Sequence, residues 1–172
     1  MTSVDTLEQN IAIVREYFSA LNDRDLDRAV RCWVPSGGVE AVPGNRGLPV
    51  PVGLRGFFGS LFDAMGEWKL EVLETTAQDD RVCVHWRAQA AFTGPGRFDG
   101  FLPTGAGGEV QGLDQLTVRD GLIVRNDAYF DAMELGRAIG LMPPAGSPPD
   151  KGMKGMVNLQ TRVKGLLAKR KK

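Results

Sequence analysis

The chain has 172 residues, 42% of them apolar, and its 21 Lys and Arg are balanced by 21 Asp and Glu. That length predicts one domain, and that apolar share is enough for a packed core. The charge is split: residues 1–147 carry 13 basic and 20 acidic side chains (net −7), whereas residues 148–172 carry 8 basic and one acidic, Asp150 (net +7). The body therefore lacks the basic footprint of a nucleic-acid binder, while the tail has the charge to meet an acidic surface. Cys32 and Cys83 form neither a disulfide framework nor a zinc spacing. No basic start followed by an apolar run is visible, and no apolar stretch approaches membrane-spanning length, so the expected setting is cytoplasmic, with no membrane span.

A first helix is predicted over about residues 5–22, where Leu7, Ile11, Val14, Phe18 and Leu21 recur at three- and four-residue steps and make one apolar stripe. Asn22-Asp23-Arg24-Asp25 ends it and restarts a second helix with Leu26, Ala29, Val30 and Trp33 on its buried face. Pro35 to Gly38 breaks that helix, and Val39 to Val42 reads as a short strand. Residues 43–53 are dominated by Pro and Gly and read as a loop over a pocket mouth. A third helix, about Leu54–Met65, carries Phe57, Phe58, Leu61 and Phe62. Strands follow at about 67–77, 80–92, 109–119 and 122–131, joined by hairpin turns at Asp79-Asp80 and Arg119-Asp120-Gly121. Gly94 to Gly108 is a second loop, and residues 132–142 make a helical turn or two.

Helices followed by hairpin-linked strands imply an α+β fold with a mostly antiparallel sheet. Pro143-Pro144 and Pro148-Pro149 mark a linker, which divides the chain into a body, 1–142, and a basic amphipathic tail, 143–172. In that tail Met153, Met156, Val157, Val163, Leu166 and Leu167 can share a helix face, weakened by Gly152, Gly155 and Gly165.

Several side chains stand out. Tyr17 lies beside the apolar stripe of the first helix. Asp114 sits inside a strand, where charge is depleted, and an isolated carboxylate in an apolar cavity stays protonated and becomes a donor. His85 is the single histidine. In its strand Arg81, Cys83, His85, Arg87 and Gln89 alternate with Val82, Val84, Trp86, Ala88 and Ala90. The apolar set must pack on the helices or in an interface, and the polar set can face either solvent or a pocket. Asp127 and Asp131 flank Tyr129 on the last strand. If Ala41 points inward, Glu40 points outward. No nucleophile-elbow, phosphate-loop, zinc-protease or Cys-x-x-Cys pattern occurs, so no cofactor and no metal is expected.

The segment VREYFSALNDRDLDRAVRCW is similar to the paired helices of ketosteroid isomerases, and GLDQLTVRDGLIV resembles the strand that holds their oxyanion-hole acid. DRVCVHW and DAYFDAMELGRAIGLMPP resemble SnoaL-like polyketide cyclases and limonene epoxide hydrolases. These belong to the nuclear transport factor two-like superfamily. The resemblance covers about residues 7–142. It implies a cone-shaped, curved sheet wrapped around N-terminal helices, a closed pocket for an apolar small molecule, and a homodimer. It places Tyr17 and Asp114 on the oxyanion-hole donors. The base positions of the relatives fall on Ala41 and Ala128, and the epoxide-hydrolase Arg-x-Asp falls on Arg81 and Cys83. Asn45 lies near the water-holding Asn of those hydrolases, and Phe58 and Phe130 complete the expected lining. With the carboxylates missing, His85 becomes the expected base, oriented by Asp114. The implied activity is cofactor-independent isomerisation, cyclisation or dehydration of a polyketide- or steroid-like carbonyl compound. The alternatives are a non-catalytic binding protein or an epoxide hydrolase.

Overall fold

The computed structural model describes residues 3–169. Helix α1 (Ser3–Asn22) buries Val14, Tyr17, Phe18 and Leu21. Its C-terminal end is tied to the sheet: the Leu21 carbonyl accepts the Trp68 indole N–H at 3.0 Å, and the Asn22 side-chain oxygen accepts the Leu70 amide at 2.9 Å. Asp25 caps α2 (Leu26–Arg31) by accepting from the Arg28 amide at 2.9 Å, as expected of an acidic residue at a helix start. Helix α3 (Val52–Ala64) buries Leu54, Phe58, Leu61 and Phe62. The two N-terminal helices and α3 thus supply one wall of the core.

The other wall is a six-stranded sheet with the order β2-β1-β6-β5-β4-β3. The strands are β1 (Val39–Val42), β2 (Asn45–Pro49), β3 (Glu67–Gln78), β4 (Arg81–Ala91), β5 (Gly107–Arg119) and β6 (Leu122–Phe130). All neighbours pair antiparallel except β1 and β6, which are parallel. The sheet is curved and unclosed around the helices, an α+β cone. One face of each long strand is apolar and buried: Val82, Val84, Trp86, Ala88 and Ala90 on β4, and Val110, Leu116 and Val118 on β5. Asp131 caps α4 (Ala132–Ala138), accepting the Met133 and Glu134 amides at 2.8 and 3.1 Å.

Two elements differ from the sequence expectation. Part of the 43–53 loop is β2, an edge strand whose pairing with β1 carries a bulge between Glu40 and Val42. Pro49 fits there because an edge strand can spare an amide donor. The tail helix, α5 (Pro148–Lys169), starts at the two prolines that had suggested a linker. Proline is tolerated in a first helical turn, where the amide has no intrahelical partner. Ser147 precedes it, and the Lys151 amide reaches the Ser147 carbonyl at 3.0 Å. Asp150 is fully buried, accepting from the Gly146 amide at 2.9 Å and from Lys154 at 2.6 Å. From Lys154 to Gly165 every residue of α5 is exposed. The side chains of Leu166 and Leu167 lie outside the described residues.

Candidate active site

Between α1, α3 and the inner sheet face lies a cavity of ≈ 100 Å³. Phe18, Phe58, Leu61, Trp68, Ala88 and Val110 are among its apolar lining. Of the side chains that line it, two are ionisable, Glu40 and Asp114. Both are buried, at 1% and 6% exposure.

Strand register brings them together. Glu40 on β1 pairs with Asn126 on β6, Asn126 pairs with Leu116 on β5, and Asp114 on β5 pairs with Ala128 on β6. Residues opposite one another share a face, so Glu40, Asn126, Asp114 and Ala128 form one inward patch. The Asn126 side-chain amide donates to Glu40 Oε1 at 3.0 Å and to Asp114 Oδ2 at 2.6 Å. The Tyr17 hydroxyl donates to Glu40 Oε2 at 3.1 Å, and the Trp86 indole N–H donates to Asp114 Oδ1 at 2.7 Å. Every carboxyl oxygen of the pair therefore has a donor. The side-chain oxygen of Asn126 is buried with no partner, which makes it the spare acceptor beside two acids.

Burial sets the protonation of this cluster. It raises Asp114 to about 6, against the opposing effect of the Asn126 and Trp86 hydrogen bonds. Burial raises Glu40 well above the usual carboxylate range. Repulsion from Asp114 adds to that, and the bonds from Tyr17 and Asn126 work against it. Two acids bridged by one amide do not both ionise easily. Of the two, Asp114 gives up its proton more readily, and Glu40 holds its proton more tightly. Burial, then the nearby Glu40 and Asp114, also lift the Tyr17 phenol well above its usual range, so it stays a neutral donor.

The sequence-predicted residues divide sharply. Tyr17 and Asp114 meet in one network, but through Glu40 and Asn126, and Tyr17 backs Glu40 rather than lining the cavity. Ala128, Phe58 and Phe130 line it. Ala41 does not. It pairs with Asp127, whose side chain binds Arg125 at 2.6 Å on the other face. The inward residue of β1 is Glu40, the reverse of the expected parity, because a one-residue shift in a strand exchanges its faces.

His85 is likewise on the outer face, with its Nε2 3.2 Å from Gln111 Oε1. It shares that face with Cys83 and Arg87, opposite the buried Val84 and Trp86, so it does not reach Asp114. Arg81 and Cys83 line a separate surface hollow near the β3–β4 turn. The residues missed from sequence are Glu40, Asn126 and Trp86. The available signal was Glu40 itself, a charge inside a four-residue apolar strand.

A wider vestibule of ≈ 520 Å³ adjoins the cavity. The two share Val42, Phe57, Phe98, Phe130 and Leu135. Asn45, Ser60 and Asp99 are the polar residues of its lining. Asn45 thus stands at the outer chamber, away from the acid pair. Among the described residues no group of three or more His, Cys, Asp or Glu could hold a metal ion.

The cone-shaped α+β fold, with a buried acid pair in the lining of an apolar cavity, is the nuclear transport factor two-like fold. The model of the SnoaL-like domain matches residues 14–126, and the chain belongs to that family. AclR of Streptomyces galilaeus, a proposed hydroxylase, is similar at 24% identity and a TM-score of 0.67, with 80% of this chain and 99% of that one covered. A proposed SnoaL-like polyketide cyclase of Jannaschia sp. CCS1 is similar at 24% identity and a TM-score of 0.69, covering 79% and 94%. IdmH of Streptomyces antibioticus, a proposed polyketide cyclase, is similar at 23% identity and a TM-score of 0.64, covering 77% and 99%. These likenesses establish the fold. No curated protein matches the chain. No helix among the described residues is long and apolar enough to cross a membrane.

Proposed function

We propose that this protein is a cofactor-independent enzyme that moves a proton at the carbon next to a carbonyl, in a cyclisation, isomerisation or dehydration of a mostly apolar polyketide-like molecule. The observation that carries the reading is the pair Glu40 and Asp114, bridged by Asn126 and lining an otherwise apolar cavity. Environments that push two acids apart assign their roles. Asp114, ionised above about pH 6, takes the α-proton. Glu40, held neutral, gives its proton to the carbonyl oxygen as the enol forms. In a cyclisation the enol carbon then attacks a carbonyl carbon of the same molecule, whose oxygen takes the proton from Asp114 while the enol O–H returns its proton to Glu40. In an isomerisation Asp114 returns its proton to the far carbon of a conjugated enol, and in a dehydration to the β-hydroxyl, which leaves as water, the enol O–H in each case returning its proton to Glu40. Tyr17 and Asn126 are positioning residues for Glu40, and Trp86 is one for Asp114. This assigns the base to Asp114 in place of His85. The epoxide-hydrolase alternative loses its support, because Arg81 and Cys83 lie outside the cavity.

The binding-only reading has one observation in its favour: all four carboxyl oxygens already accept a bond from the protein. Hydrogen–deuterium exchange at the α-carbon of a simple two-ring ketone, 2-tetralone, followed by NMR in D₂O, separates the two. The enzyme reading predicts accelerated exchange that falls by about 10²–10⁴ in both Asp114→Asn and Glu40→Gln. Exchange no faster than in buffer, with bound ketone, supports binding alone. The outer sheet face, where Leu113 and Tyr129 pair across β5 and β6 at 44% and 50% exposure, is the surface through which we propose a homodimer. Sedimentation velocity of Leu113→Glu against the unaltered protein tests it.

A further inference from the structure

We propose that α5 is a docking element that lies flat on the surface of an anionic phospholipid bilayer. The helix is anchored at one end and bare along the rest. Its first turn is fixed to the body, where Asp150 is buried and accepts from the Gly146 amide at 2.9 Å and from Lys154 at 2.6 Å. From Lys154 to Gly165 every residue is exposed. Met156, Val157, Leu159 and Val163 are among them, at 59%, 53%, 62% and 45% exposure. At helical spacing these four and Met153 fall on one side and cover about half of the circumference. Lys151, Lys154 and Arg162 fall on the opposite side. No acidic residue follows Asp150, and the basic run continues in the sequence through Lys169, Arg170, Lys171 and Lys172.

A helix in a protein draws most of its stability from burying its apolar face, and Gly152, Gly155 and Gly165 weaken this one further. From Lys154 onward α5 buries no such face against its own body, so its apolar side calls for an external surface. Charge and apolarity together select that surface. A nucleic-acid backbone would pair with the basic side and leave the apolar side in water. Two copies of α5 packed face to face would bring two tails of net +7 together. The acidic body of a second copy has the right charge, but Lys164 falls on the apolar side, between Met153 and Val157, and a protein groove would bury its ammonium. At a lipid interface the same side chain extends along the apolar surface and keeps its charge among the phosphates. An anionic bilayer accepts the whole pattern: the apolar side enters the headgroup boundary, and the basic side chains meet the negative surface. Residues 148–172 hold no aromatic side chain, so charge carries a large share of the binding and the contact is reversible. Because α5 begins a few residues after Leu141, which lines the vestibule, docking holds the vestibule near the bilayer. Docking through α5 is independent of the chemistry at Glu40 and Asp114.

The test is co-sedimentation of the full chain with vesicles of phosphatidylcholine alone and with about 30% phosphatidylglycerol added, at about 0.1 M and about 0.5 M salt. Binding to the anionic vesicles is expected to be about tenfold or more tighter than to the neutral ones, and to be lost at the higher salt. Two double variants separate the two sides of the helix, and both alter only exposed side chains. Leu159→Gln with Val163→Gln removes apolar area and leaves the charge unchanged; Arg162→Gln with Lys164→Gln removes charge. Each should weaken anionic binding about tenfold, with the near-ultraviolet circular dichroism of the body unchanged. On anionic vesicles the amides of residues 154–165 should exchange more slowly with deuterium than in solution. No preference for the anionic vesicles, or anionic binding that survives Leu159→Gln with Val163→Gln, overturns the proposal. Self-association in sedimentation velocity that both double variants abolish, without vesicle binding, also overturns it and makes the acidic body of a second copy the docking surface.

Discussion

The indole of Trp86 lies directly over Gly112. A Cβ built on Gly112 would come within 2.3 Å of the Trp86 Cζ2 atom. The two residues are cross-strand partners, and the missing side chain leaves room for the indole, whose N–H donates to Asp114 at 2.7 Å. Glycine in a strand interior is otherwise unfavourable, so the position trades strand stability for the reach of one donor. Gly112→Ala should push Trp86 aside and lift Asp114 further above 6, because a donor to the charged form is lost. Tryptophan fluorescence and the carboxyl titration of the variant check both effects.

Stability should depend on pH through the same pair. The folded pKa of Asp114 is raised from 3.8 to about 6, so the folded state holds a proton that the unfolded chain gives up. That contribution is fully present below about pH 4 and is lost as pH rises through about 6, and it amounts to about 3 kcal/mol. Glu40 shifts in the same direction. Chemical denaturation from pH 4 to pH 8 should show the decline, with a shallower slope in Asp114→Asn. Glu40→Gln, which mimics the protonated acid, should alter stability at pH 7 by less than about 1.5 kcal/mol. A large loss in that variant would mean that Glu40 is ionised.

Tyr17→Phe removes the hydroxyl that reaches Glu40 while keeping the ring contacts to Phe18 and Trp33, at 5.8 and 5.6 Å. The expected cost in stability is about 1–2 kcal/mol. Exchange activity should fall less than in Glu40→Gln, because Tyr17 stands behind the reacting group. The comparison of the two rates in D₂O checks that order.

His85→Gln should leave exchange activity within about twofold of the unaltered protein, since the imidazole meets Gln111 on the outer face. A drop of about 10² or more would require a proton path through the sheet.

Deleting residues 148–172 should leave the body folded, since α5 is exposed from Lys154 onward. The near-ultraviolet circular dichroism of the shortened chain should overlay that of the full one. Collapse would show that Asp150 and Met153 hold α4 in place.

The hairpins and the three helices were legible because alternation and three-to-four spacing report burial directly, and the cone was legible through the family resemblance. Tyr17 and Asp114 were legible as a pair through the resemblance of two distant segments. The rest failed for physical reasons. β1 has four residues, too few for alternation to fix its parity, so one step of misalignment chose Ala41 over Glu40. On β4 the alternation was read correctly, but alternation does not say which face meets the pocket. The residues left open whether the polar set faces solvent or a pocket, and the resemblance turned it toward the pocket, whereas the cavity is apolar and shares its face with the core, so Trp86 and Ala88 line it and His85 does not. Asn126 gave no signal of its own, since its function depends on two acids that the strand order alone brings to its sides. β2 was hidden by Pro49 and Gly47, residues that an edge strand tolerates.

The central claim is that the buried pair holds one proton at neutrality, with Asp114 charged and Glu40 neutral. Carbon NMR of the two carboxyl groups, in protein labelled at Asp and Glu and assigned with Asp114→Asn and Glu40→Gln, reads this directly. The account predicts an Asp114 resonance that titrates near pH 6 and a Glu40 resonance that keeps its protonated shift through pH 7. Two resonances that both titrate below about pH 5, as for ordinary exposed carboxylates, would contradict it.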